Sequence, residues 1–399
     1  MRDMFNDNPL WTEREFSHPE RTIRLGSLFS GIGAIEHALK RLNLKTEILF
    51  ASDIDSNCKK SYFANYKITE DRWCSDVHKL NAKPYRYQCD LLVGGAPCQA
   101  FSLVGKRRGF DDTRGTLFRE FARVVKECKP KVFIFENVRG MLNHNKGVTW
   151  DVIKNTFEKD LKYNIHFQVL NSRNYGIPQN RERLFCIGFR KKTDFIFPEA
   201  IPLEYKMYDF LQDTFDSSYF LNEKGVKFVT SHKNREKRYT QINGDVQLCQ
   251  KRNQQFNWHG DFIYHPLIQG EEEYDEFIFD VSEVEEKYFL SDKVKKYVLS
   301  PGTKNFKTST KTDLDVARPL LQSMHKMHRA GVDNYVTNKG RIRKLTPREC
   351  LRLMGFKDWF KIVVADTSMY QEAGNSIVVD VLIAILKQMD ITKYGTDED

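Results

Sequence analysis

The 399-residue sequence lacks the marks of membrane, secreted and zinc-binding proteins. It has no run of about 18 apolar residues, the length that a membrane-spanning helix needs, and its N-terminus lacks the apolar core of a signal peptide. Its eight cysteines form no CxxC pair and have no histidines at metal-ligand spacing. We therefore expect a cytoplasmic protein without a metal site, in which most cysteines are small buried apolar residues.

The composition is that of a globular protein with an excess of positive charge. Hydrophobic residues make up 40% of the chain and aromatic residues 13%, which excludes a disordered chain. The formal net charge of +9 favours a polyanionic partner without establishing one, because many proteins are mildly basic.

Six apolar segments predict strands, several of them continuous runs that are typical of strands covered on both faces. Helical patterns lie between the strands. This alternation predicts an α/β fold with a doubly wound, mostly parallel sheet and a site at the carboxyl ends of its strands. The predicted strands are Ile23–Phe29, Thr46–Asp53, Cys89–Gly95, Lys131–Val138, Asn164–Asn171 and Arg183–Phe189.

The chain divides by composition into four parts. Residues 23–197 carry the strand and helix alternation, whereas residues 198–338 are polar, aromatic and charged and predict a separate, irregular, mainly β domain. Regular patterns return over residues 339–399, so the chain is expected to leave the α/β domain and come back to it. Residues 1–22 form an N-terminal extension with no assigned role.

A glycine-bearing turn indicates a nucleoside cofactor. In RLGSLFSGIGAIEHAL, a predicted strand leads into Gly31 and Gly33 and then a helix, and Asp53 ends the next strand. Glycines let a ligand approach the backbone, and an acid in that place can accept from ribose hydroxyls. Glu36 replaces the third glycine of a dinucleotide-binding turn, which favours S-adenosylmethionine over NAD. Asp76 either holds the adenine amine or is a helix N-cap.

Reactive side chains lie at the ends of other predicted strands. Cys98 follows Pro97 at a ligand-facing edge, where a helical turn or a nearby cation would favour the thiolate. Glu136 ends an apolar strand, where an unpaired carboxyl group would be costly to bury, although a salt bridge would also explain it. Arg181 and Arg183 lie at the start of a predicted strand. There they either bind an anion or a carbonyl group or form a pair on the surface.

With a sulfonium cofactor, these groups suit methyl transfer to carbon 5 of a pyrimidine. Carbon 5 is a poor nucleophile until a thiolate adds at carbon 6. A glutamic acid at N3 would stabilise the adduct, and an arginine at O2 would hold the ring. Loss of the carbon 5 proton and elimination of the thiolate would then release the product.

The sequence resembles the DNA (cytosine-5) methyltransferases of bacterial restriction–modification systems. The resemblance covers about residues 23–190 and 338–390, and the combination of Pro-Cys-Gln, Glu-Asn-Val and Gln-x-Arg-x-Arg in this order is highly specific. The matching segments are FSGIGAIEHAL, GGAPCQAFS, GFDDTRGTLF, FENVRGM, NYGIPQNRERLFCIG, GRIRKLTPRECLRLMGF and QEAGNSIVVDVL.

This resemblance implies a Rossmann-like, S-adenosylmethionine-dependent methyltransferase with a smaller target recognition domain. The substrate would be double-stranded DNA with the cytosine turned out of the helix, and S-adenosylhomocysteine would be the second product. A monomer in the cytoplasm, associated with the nucleoid through DNA, is expected. A restriction endonuclease is an expected functional partner.

The resemblance also implies roles for particular residues. Cys98 would be the nucleophile, Glu136 would contact N3 and the exocyclic amine of cytosine, and Arg183 would hold O2. Arg181 would support the adduct or nearby backbone. A loop from Ala100 to Asp112 would close over the extruded base.

The cofactor would lie between several loops. Phe29 would stack on the adenine, Asp53 would bind the ribose, Ile54 would pack on the adenine and Asp76 would accept from its amine. The remaining residues expected at the cofactor are Ser30, Gly31, Gly33, Val77, Pro97, Leu117, Asn375 and Ser376. The candidates for DNA contact are Ser102, Lys106, Arg107, Arg108, Lys251 and Arg252.

Three other functions compete with this prediction. An RNA cytosine-5 methyltransferase on the same scaffold would have a short recognition region with a Cys-Phe-Thr element, which the sequence lacks. A catalytically silent DNA-binding regulator would not need Cys98, Glu136 and Arg183. An NAD dehydrogenase would need the third glycine and a site for handling hydride.

Overall fold

A computed structural model describes most of the chain. The described residues are 10–96, 117–212, 219–221, 223–252, 257–265, 302–303, 306–307 and 341–397. Six predicted site residues lie outside these ranges. They are Pro97, Cys98, Ser102, Lys106, Arg107 and Arg108.

The chain folds into two compact units, each assembled from separate segments. The first unit consists of Met1–Phe210, Asp245–Asn253 and Pro347–Asp399, and the second of Leu211–Gly244 and Gln254–Thr346. These limits differ from the composition boundaries, because residues 198–210 and the short segment 245–253 belong with the first unit and residues 339–346 belong with the second. The role of the second unit in target recognition stays a prediction.

A seven-stranded sheet forms the centre of the first unit. Its strands are β1 Ile23–Leu28, β2 Thr46–Ser52, β3 Trp73–Cys74, β4 Leu91–Gly94, β5 Val132–Val138, β6 Asn164–Asn171 and β7 Glu182–Phe189. They lie in the order β3-β2-β1-β4-β5-β7-β6, and only the pairs that involve β7 are antiparallel. The mostly parallel sheet is confirmed, and the order reverses between β1 and β4, where ligands of such folds bind.

Along the sequence, helices of the first unit lie between the strands of this sheet or after its last strand. Those of the first unit are α1 Ala34–Arg41, α2 Ser56–Asn65, α3 Leu117–Cys128, α4 Val148–Asn155, α7 Pro347–Arg352, α8 Asp366–Asn375 and α9 Val379–Met389. The second unit contains α5 Glu223–Thr230 and α6 His232–Glu236.

Aromatic packing joins α3 to the sheet. Phe121 on α3 lies 5.1 Å, between ring centroids, from Phe135 on β5, and Phe133 lies 4.6 Å from Phe157. All four rings are fully buried. Edge and tilted ring pairs of this kind add about 0.5–1.5 kcal/mol each beyond the burial of their area, so they hold β5 firmly in place.

The apolar C-terminal segment is part of this core. By length and composition alone, Asp366–Met389 could cross a membrane. However, 72% of its apolar 18-residue stretch is buried within the fold. The helix is interrupted between Asn375 and Val379. Arg41 on α1 donates to both carboxylate oxygens of Asp380 at 2.7 and 2.8 Å, which joins α9 to the first helix of the unit.

The described part of the N-terminal extension, from residue 10 onward, lies against the C-terminal residues. Ser17 donates through its backbone N–H and its hydroxyl to the carboxylate of Asp390, and the His18 N–H donates to the Thr392 hydroxyl. Thr22 and Thr396 exchange two backbone hydrogen bonds at 3.0 and 2.9 Å. These contacts form an N-terminal clasp on the first unit.

The second unit contains a three-stranded sheet in the order β12-β9-β8, with β8 Thr240–Ile242, β9 Gly260–His265 and β12 Arg341–Lys344. Two short strands, β10 Gly302–Thr303 and β11 Phe306–Lys307, form a second sheet. Val226 and Val229 on α5 pack against Phe262 on β9 and form a small core.

Asp390→Asn is expected to weaken the clasp. Asn tolerates the left-handed backbone of residue 390 (φ 47°) but loses the charge that accepts three hydrogen bonds from Ser17. Hydrogen bonds to a charged group contribute about 1.5–3 kcal/mol, so the thermal midpoint should fall and proteases should cut residues 10–20 faster. Asp397→Asn removes only the exposed pair with Arg21 and serves as the control. An equal effect of both changes would contradict this reading.

Candidate active site

The glycine turn after β1 is held by Asp53. Gly31 and Gly33 have φ angles of 54° and 78°, and Phe29 before them is also left-handed at 51°. The Gly31 N–H donates to Asp53 Oδ2 at 2.8 Å, and the Ser30 N–H donates to the Ser52 carbonyl at 2.9 Å. A Cβ on Gly31 would meet no atom within 4 Å, so this backbone faces open space.

Side chains behind the turn close its inner face. A Cβ on Gly33 would lie 2.2 Å from the ring of Tyr66, whose hydroxyl donates to the Gly33 carbonyl. Glu36, at the position of the absent third glycine, is buried and accepts from the Tyr62 hydroxyl at 2.5 Å. Burial raises the pKa of Glu36 to about 6, against the lowering effect of that hydrogen bond. This acid is thus part of the core behind the turn.

An uncovered apolar side chain stands beside Asp53. Ile54 is 84% exposed, the largest exposure of any large apolar side chain in the described part of the chain. Asp53 receives the Asp55 N–H on Oδ1 at 2.9 Å. The adjacent carboxylate and bare apolar surface are the two features that a ribose and an adenine require.

Asp76 is a helix cap in this structure. It is the N-cap of the 3-10 turn Val77–Lys79, and its Oδ1 accepts from the His78 N–H at 3.1 Å and lies 2.8 Å from His78 Nδ1. These hydrogen bonds lower the pKa of the Asp76 carboxyl group. The side chain of Val77 is apolar and buried. Of Asp76 and Val77, the two residues predicted at the adenine, only Asp76 therefore has a side chain that can form a polar contact with a ligand. A contact with adenine stays a prediction.

Glu136 and Arg183 form an ion pair at the site edge of the sheet. Arg183 Nε lies 3.2 Å from Glu136 Oε1, and their side chains are 17% and 12% exposed. Burial raises the pKa of Glu136, while the charges of Arg183 and Arg181 act in the opposite direction. The salt bridge that was the alternative explanation for Glu136 is therefore present. Because burial outweighs the two arginine charges, the carboxyl group still holds a proton more readily than a free glutamate.

The end of β4 fits tightly against this pair. A Cβ on Gly95 would lie 2.7 Å from Glu136 Oε2, so only glycine leaves room for the carboxyl group there. Asn137 Nδ2 donates to the Ala96 carbonyl at 2.9 Å. These two contacts fix the strand end that leads into Pro97 and Cys98. Neither Gly95 nor Asn137 is identifiable as a site residue from the sequence, although each lies within one of the motifs.

Arg181 binds backbone rather than another side chain's charge. It is 3% exposed and donates to the carbonyl oxygens of Gln250, Gly374 and Ser376 at 2.7, 3.0 and 2.8 Å. Burial, together with the neighbouring charge of Arg183, lowers its pKa to about 10, which leaves it protonated at neutral pH. Arg181 thus joins the start of β7, the segment 245–253 and the end of α8.

The segment 245–253 brings further residues to the site. Gln179 donates to the Leu353 carbonyl at 2.8 Å and accepts from the Gln250 N–H at 3.0 Å. Cys249 Sγ lies 4.0 and 3.9 Å from the Nη1 atoms of Arg181 and Arg183. Sequence reasoning missed Cys249 because the surrounding region carries no regular pattern. Gln179 was visible as the first residue of Gln-x-Arg-x-Arg.

The remaining predicted residues lie on the segment 245–253, at the end of α8 and at the start of α3. Lys251 and Arg252 follow Gln250 and are exposed, and Arg252 Nη2 lies 3.4 Å from Gln371 Oε1. Asn375 is exposed at the end of α8, whereas Ser376 is 9% exposed. Leu117 is partly buried at the start of α3.

Comparisons with known proteins agree over almost the whole chain. A family model of C-5 cytosine-specific DNA methylases matches residues 23–390. The orphan methyltransferase M.SPRI of Bacillus phage SPR is 32% identical over 445 aligned residues, covering 94% of this chain and 99% of that protein. The type II methyltransferase M.HpaII of Haemophilus parainfluenzae is 30% identical over 413 residues, covering 99% of both chains.

Among solved structures, the Dnmt2 methyltransferase of S. pombe superposes with a TM-score of 0.60 at 21% identity, covering 92% of this chain and 97% of that one. This likeness concerns the fold, which is that of a methyltransferase with a Rossmann-like sheet. The chain belongs to the C-5 cytosine-specific DNA methylase family. It uses S-adenosylmethionine and acts on DNA.

Gly95→Ala is expected to slow methyl transfer because the added methyl group displaces the Glu136 carboxyl group. Misplacement of a catalytic group by about 1 Å can cost up to roughly 100-fold in rate. Initial rates with tritiated methyl donor and duplex DNA would measure this loss. Gly140→Ala is the matched control, since a Cβ there meets nothing within 4 Å. A Gly95→Ala enzyme with the full rate would show that the close fit has no catalytic role.

Proposed function

We propose that this chain is the modification methyltransferase of a type II restriction–modification system, a DNA (cytosine-5-)-methyltransferase with Cys98 as its nucleophile. The observation that carries the proposal is the Glu136–Arg183 pair, against which Gly95 is packed at the end of β4, three residues before Cys98 in the sequence. It supports a pocket that holds a pyrimidine ring by its polar edge while a thiol adds to the ring.

Glu136 and Arg183 supply the polar contacts to the base. A carboxyl group with a raised pKa can donate to N3 of cytosine and stabilise the charge that develops when the thiolate adds at carbon 6. The Arg183 guanidinium beside it would donate to O2. Arg181 supports the same edge of the sheet, because its hydrogen bonds to three carbonyl oxygens hold the backbone around the pocket.

Residues of this chain fit a nucleoside cofactor at the neighbouring loop. Asp53 would accept from the ribose, the bare surface of Ile54 would cover the adenine, and the open backbone at Gly31 leaves room for the ligand. When bound, S-adenosylmethionine supplies an electrophilic methyl group on a sulfonium. Asn375 at the end of α8 is exposed on the side that Arg181 fixes.

The covalent chemistry needs the methyl donor and a base besides the thiol. The Cys98 thiolate would form a bond to carbon 6, and the ring electrons would move to carbon 5. Carbon 5 would take the methyl group as the bond between methyl and sulfonium sulfur breaks, which leaves the neutral thioether. Carbon 5 then loses its proton to a base, the electrons return to the ring, and the bond between sulfur and carbon 6 breaks. The thiolate is regenerated, so one cysteine serves repeated turnovers.

We assign target recognition to the second unit, with Lys251 and Arg252 as phosphate or base contacts from the first unit. The net charge of +9 supports a polyanionic substrate. A monomer that works in the cytoplasm, bound to the nucleoid and paired with a restriction endonuclease, completes the proposal. The relatives that support the pairing are those named type II, such as M.HpaII.

Cys98→Ser is expected to abolish turnover and to prevent covalent trapping on duplex DNA that contains 5-fluorocytosine. The fluorine cannot leave as a proton does, so the wild-type adduct should persist and survive denaturing electrophoresis, whereas the variant forms none. Cys74→Ser, which changes another thiol of the described fold, should still be trapped. Trapping that persists in Cys98→Ser would remove the nucleophile from the proposal.

Duplex affinity is expected to fall steeply with salt, because each neutralised phosphate releases counterions. Lys251→Gln and Arg252→Gln should each lower the slope of log affinity against log salt by about 1. Fluorescence anisotropy over a salt series would measure the slope. Lys159→Gln provides the control, since this exposed lysine precedes β6 at the opposite edge of the sheet. Unchanged slopes in both site variants would remove Lys251 and Arg252 from the interface.

A further inference from the structure

A cluster of positive charge lies at the edge of the large sheet opposite the candidate active site. Arg86, Tyr87 and Lys129 precede β4 and β5, and Arg190 follows β7, which runs antiparallel to β5. These four residues form the far-edge cluster. The candidate active site lies at the other ends of the same strands, and β7 has eight residues, so roughly 25 Å of sheet separates the two edges.

Two guanidinium groups of this cluster lie over one exposed ring. Tyr87 is 55% exposed, and the guanidinium carbons of Arg86 and Arg190 lie 5.0 and 5.2 Å from its ring centroid. The two carbons are therefore at most about 10 Å apart, within one Debye length at 0.1 M salt, and their charges repel each other. Attraction to the face of the ring holds both cations at this surface.

The backbone fixes the position of the ring. Tyr87 has a left-handed φ of 62°, which is unusual for a bulky residue, and its N–H donates at 2.8 Å to the carbonyl of Cys128 at the end of α3. Lys129, which follows Cys128, is left-handed as well, with a φ of 49°. Backbone strain of this kind persists only where the surrounding structure determines it, and it is concentrated at functional sites.

The carbonyl groups at the end of α3 balance only part of this charge. Arg86 Nη1 lies 3.4 Å from the Glu127 carbonyl oxygen, and Arg190 Nη1 donates to the Lys129 carbonyl at 2.5 Å. The end of a helix carries about half of one negative charge, whereas the two guanidinium groups carry two full positive charges.

The nearest acidic side chains in the sequence are paired with other cations. Glu127 pairs with Arg123 at 3.0 Å, and the buried Asp90 pairs with Arg24 at 3.2 Å and with Lys131 at 2.8 Å. Within the described ranges, neither arginine of the far-edge cluster forms an ion pair with a carboxylate. Fixed positive charge that is left unbalanced in this way attracts anions to the surface.

We propose that the far-edge cluster binds the phosphate backbone of a second segment of DNA while the opposite edge of the sheet holds the first. This inference rests on the proposed function, which places the first segment at the active site. A protein with two such surfaces bridges two segments and passes from one to the other without being released into solution.

Duplex DNA fits this surface by charge and by geometry. It carries one negative charge per about 1.7 Å of helix axis, so a single segment reaches both guanidinium groups at once. Planar guanidinium groups match the oxygen atoms of a phosphate as paired donors, and the Tyr87 hydroxyl adds a donor of the kind that binds phosphates. Because the chain acts on DNA, this polyanion is present wherever the protein works.

The test measures capture of a second duplex by protein that is already bound to a first. The full chain is loaded on a short biotinylated duplex on a surface, a fluorescent duplex of unrelated sequence is added, and the fluorescence retained per bound protein is followed over a salt series. The wild type should retain the second duplex. The double variant Arg86→Gln/Arg190→Gln should bind it about tenfold more weakly or worse, with a slope of log affinity against log salt that is lower by about 2.

Three variants control for general effects of charge and folding. Lys60→Gln/Lys67→Gln removes the same charge from exposed positions on and after α2, so capture should be normal. Arg86→Lys/Arg190→Lys keeps the charge and should restore most of the capture. Tyr87→Asn tolerates the left-handed backbone but removes the ring, so it should weaken capture at unchanged charge. Methyl transfer to a short duplex should have the same initial rate in all of these variants.

The outcomes separate this inference from the proposed function. Loss of the second duplex in Arg86→Gln/Arg190→Gln, with normal loading on the first, supports it. Equal capture by this variant and the wild type, or a loaded wild type that captures nothing, overturns it and leaves the proposed function standing. A wild type that transfers no methyl group to DNA overturns the proposed function itself.

Two further results would also overturn the inference. Polyglutamate that displaces the second duplex at a lower charge concentration than competing DNA would assign the surface to an acidic protein. Two protein copies per captured duplex in mass photometry would show that bridging occurs through protein dimers. If the double variant fails to fold, Arg86→Gln alone replaces it, because the carbonyl contacts of Arg86 are long, at 3.4 and 3.5 Å.

Discussion

The site depends on a single buried guanidinium. Arg181 uses three backbone carbonyl oxygens from two separate parts of the chain, and each of these would otherwise be a buried acceptor that needs a partner. Its own charge is removed from water, and the carbonyl dipoles replace the lost hydration. Burial raises the pKa of Glu136, and Arg183 together with Arg181 opposes that rise, so the arrangement of the backbone and the proton affinity of the site are linked.

The two arginines of the motif differ in environment although they are only two residues apart. Successive side chains of a strand point to opposite faces, so residues 181 and 183 share a face. Arg181 lies just before β7 and turns to the backbone around it, whereas Arg183 lies within β7 and reaches Glu136 on the neighbouring strand. Arg181 therefore holds the backbone around the site, and Arg183 pairs with the carboxylate of Glu136.

Much of the fold could be predicted because parallel strands that are buried on both faces must be continuously apolar. All six predicted strands are present with limits within two residues. The short strand β3 was missed, because two residues carry no periodicity. The clasp of Ser17 on Asp390 could not be predicted either, since it joins residues 373 positions apart through polar groups. The same holds for Gln250, whose carbonyl meets Arg181 only after folding.

Within the site, motif positions identified Glu136 and Arg183, and the structure brings these two together. Motifs could not show that Gly95 is there to make room for a carboxyl group, or that Cys249 lies beside both arginines, because these are properties of distance. Asp76 illustrates the reverse case. Its capping role follows from local sequence, and any contact with adenine depends on a ligand.

The division of the second unit into two stretches bears on the design of chimaeras between this chain and its relatives. Residues 245–253 interrupt that unit and carry the carbonyl that Arg181 requires. Replacing the whole stretch 211–346 with that of a relative would also replace residues 245–253. It would thereby change the backbone that Arg181 binds in the recipient. A chimaera that preserves it needs four junctions rather than two, and this predicts that working hybrids retain the recipient's own nine residues there.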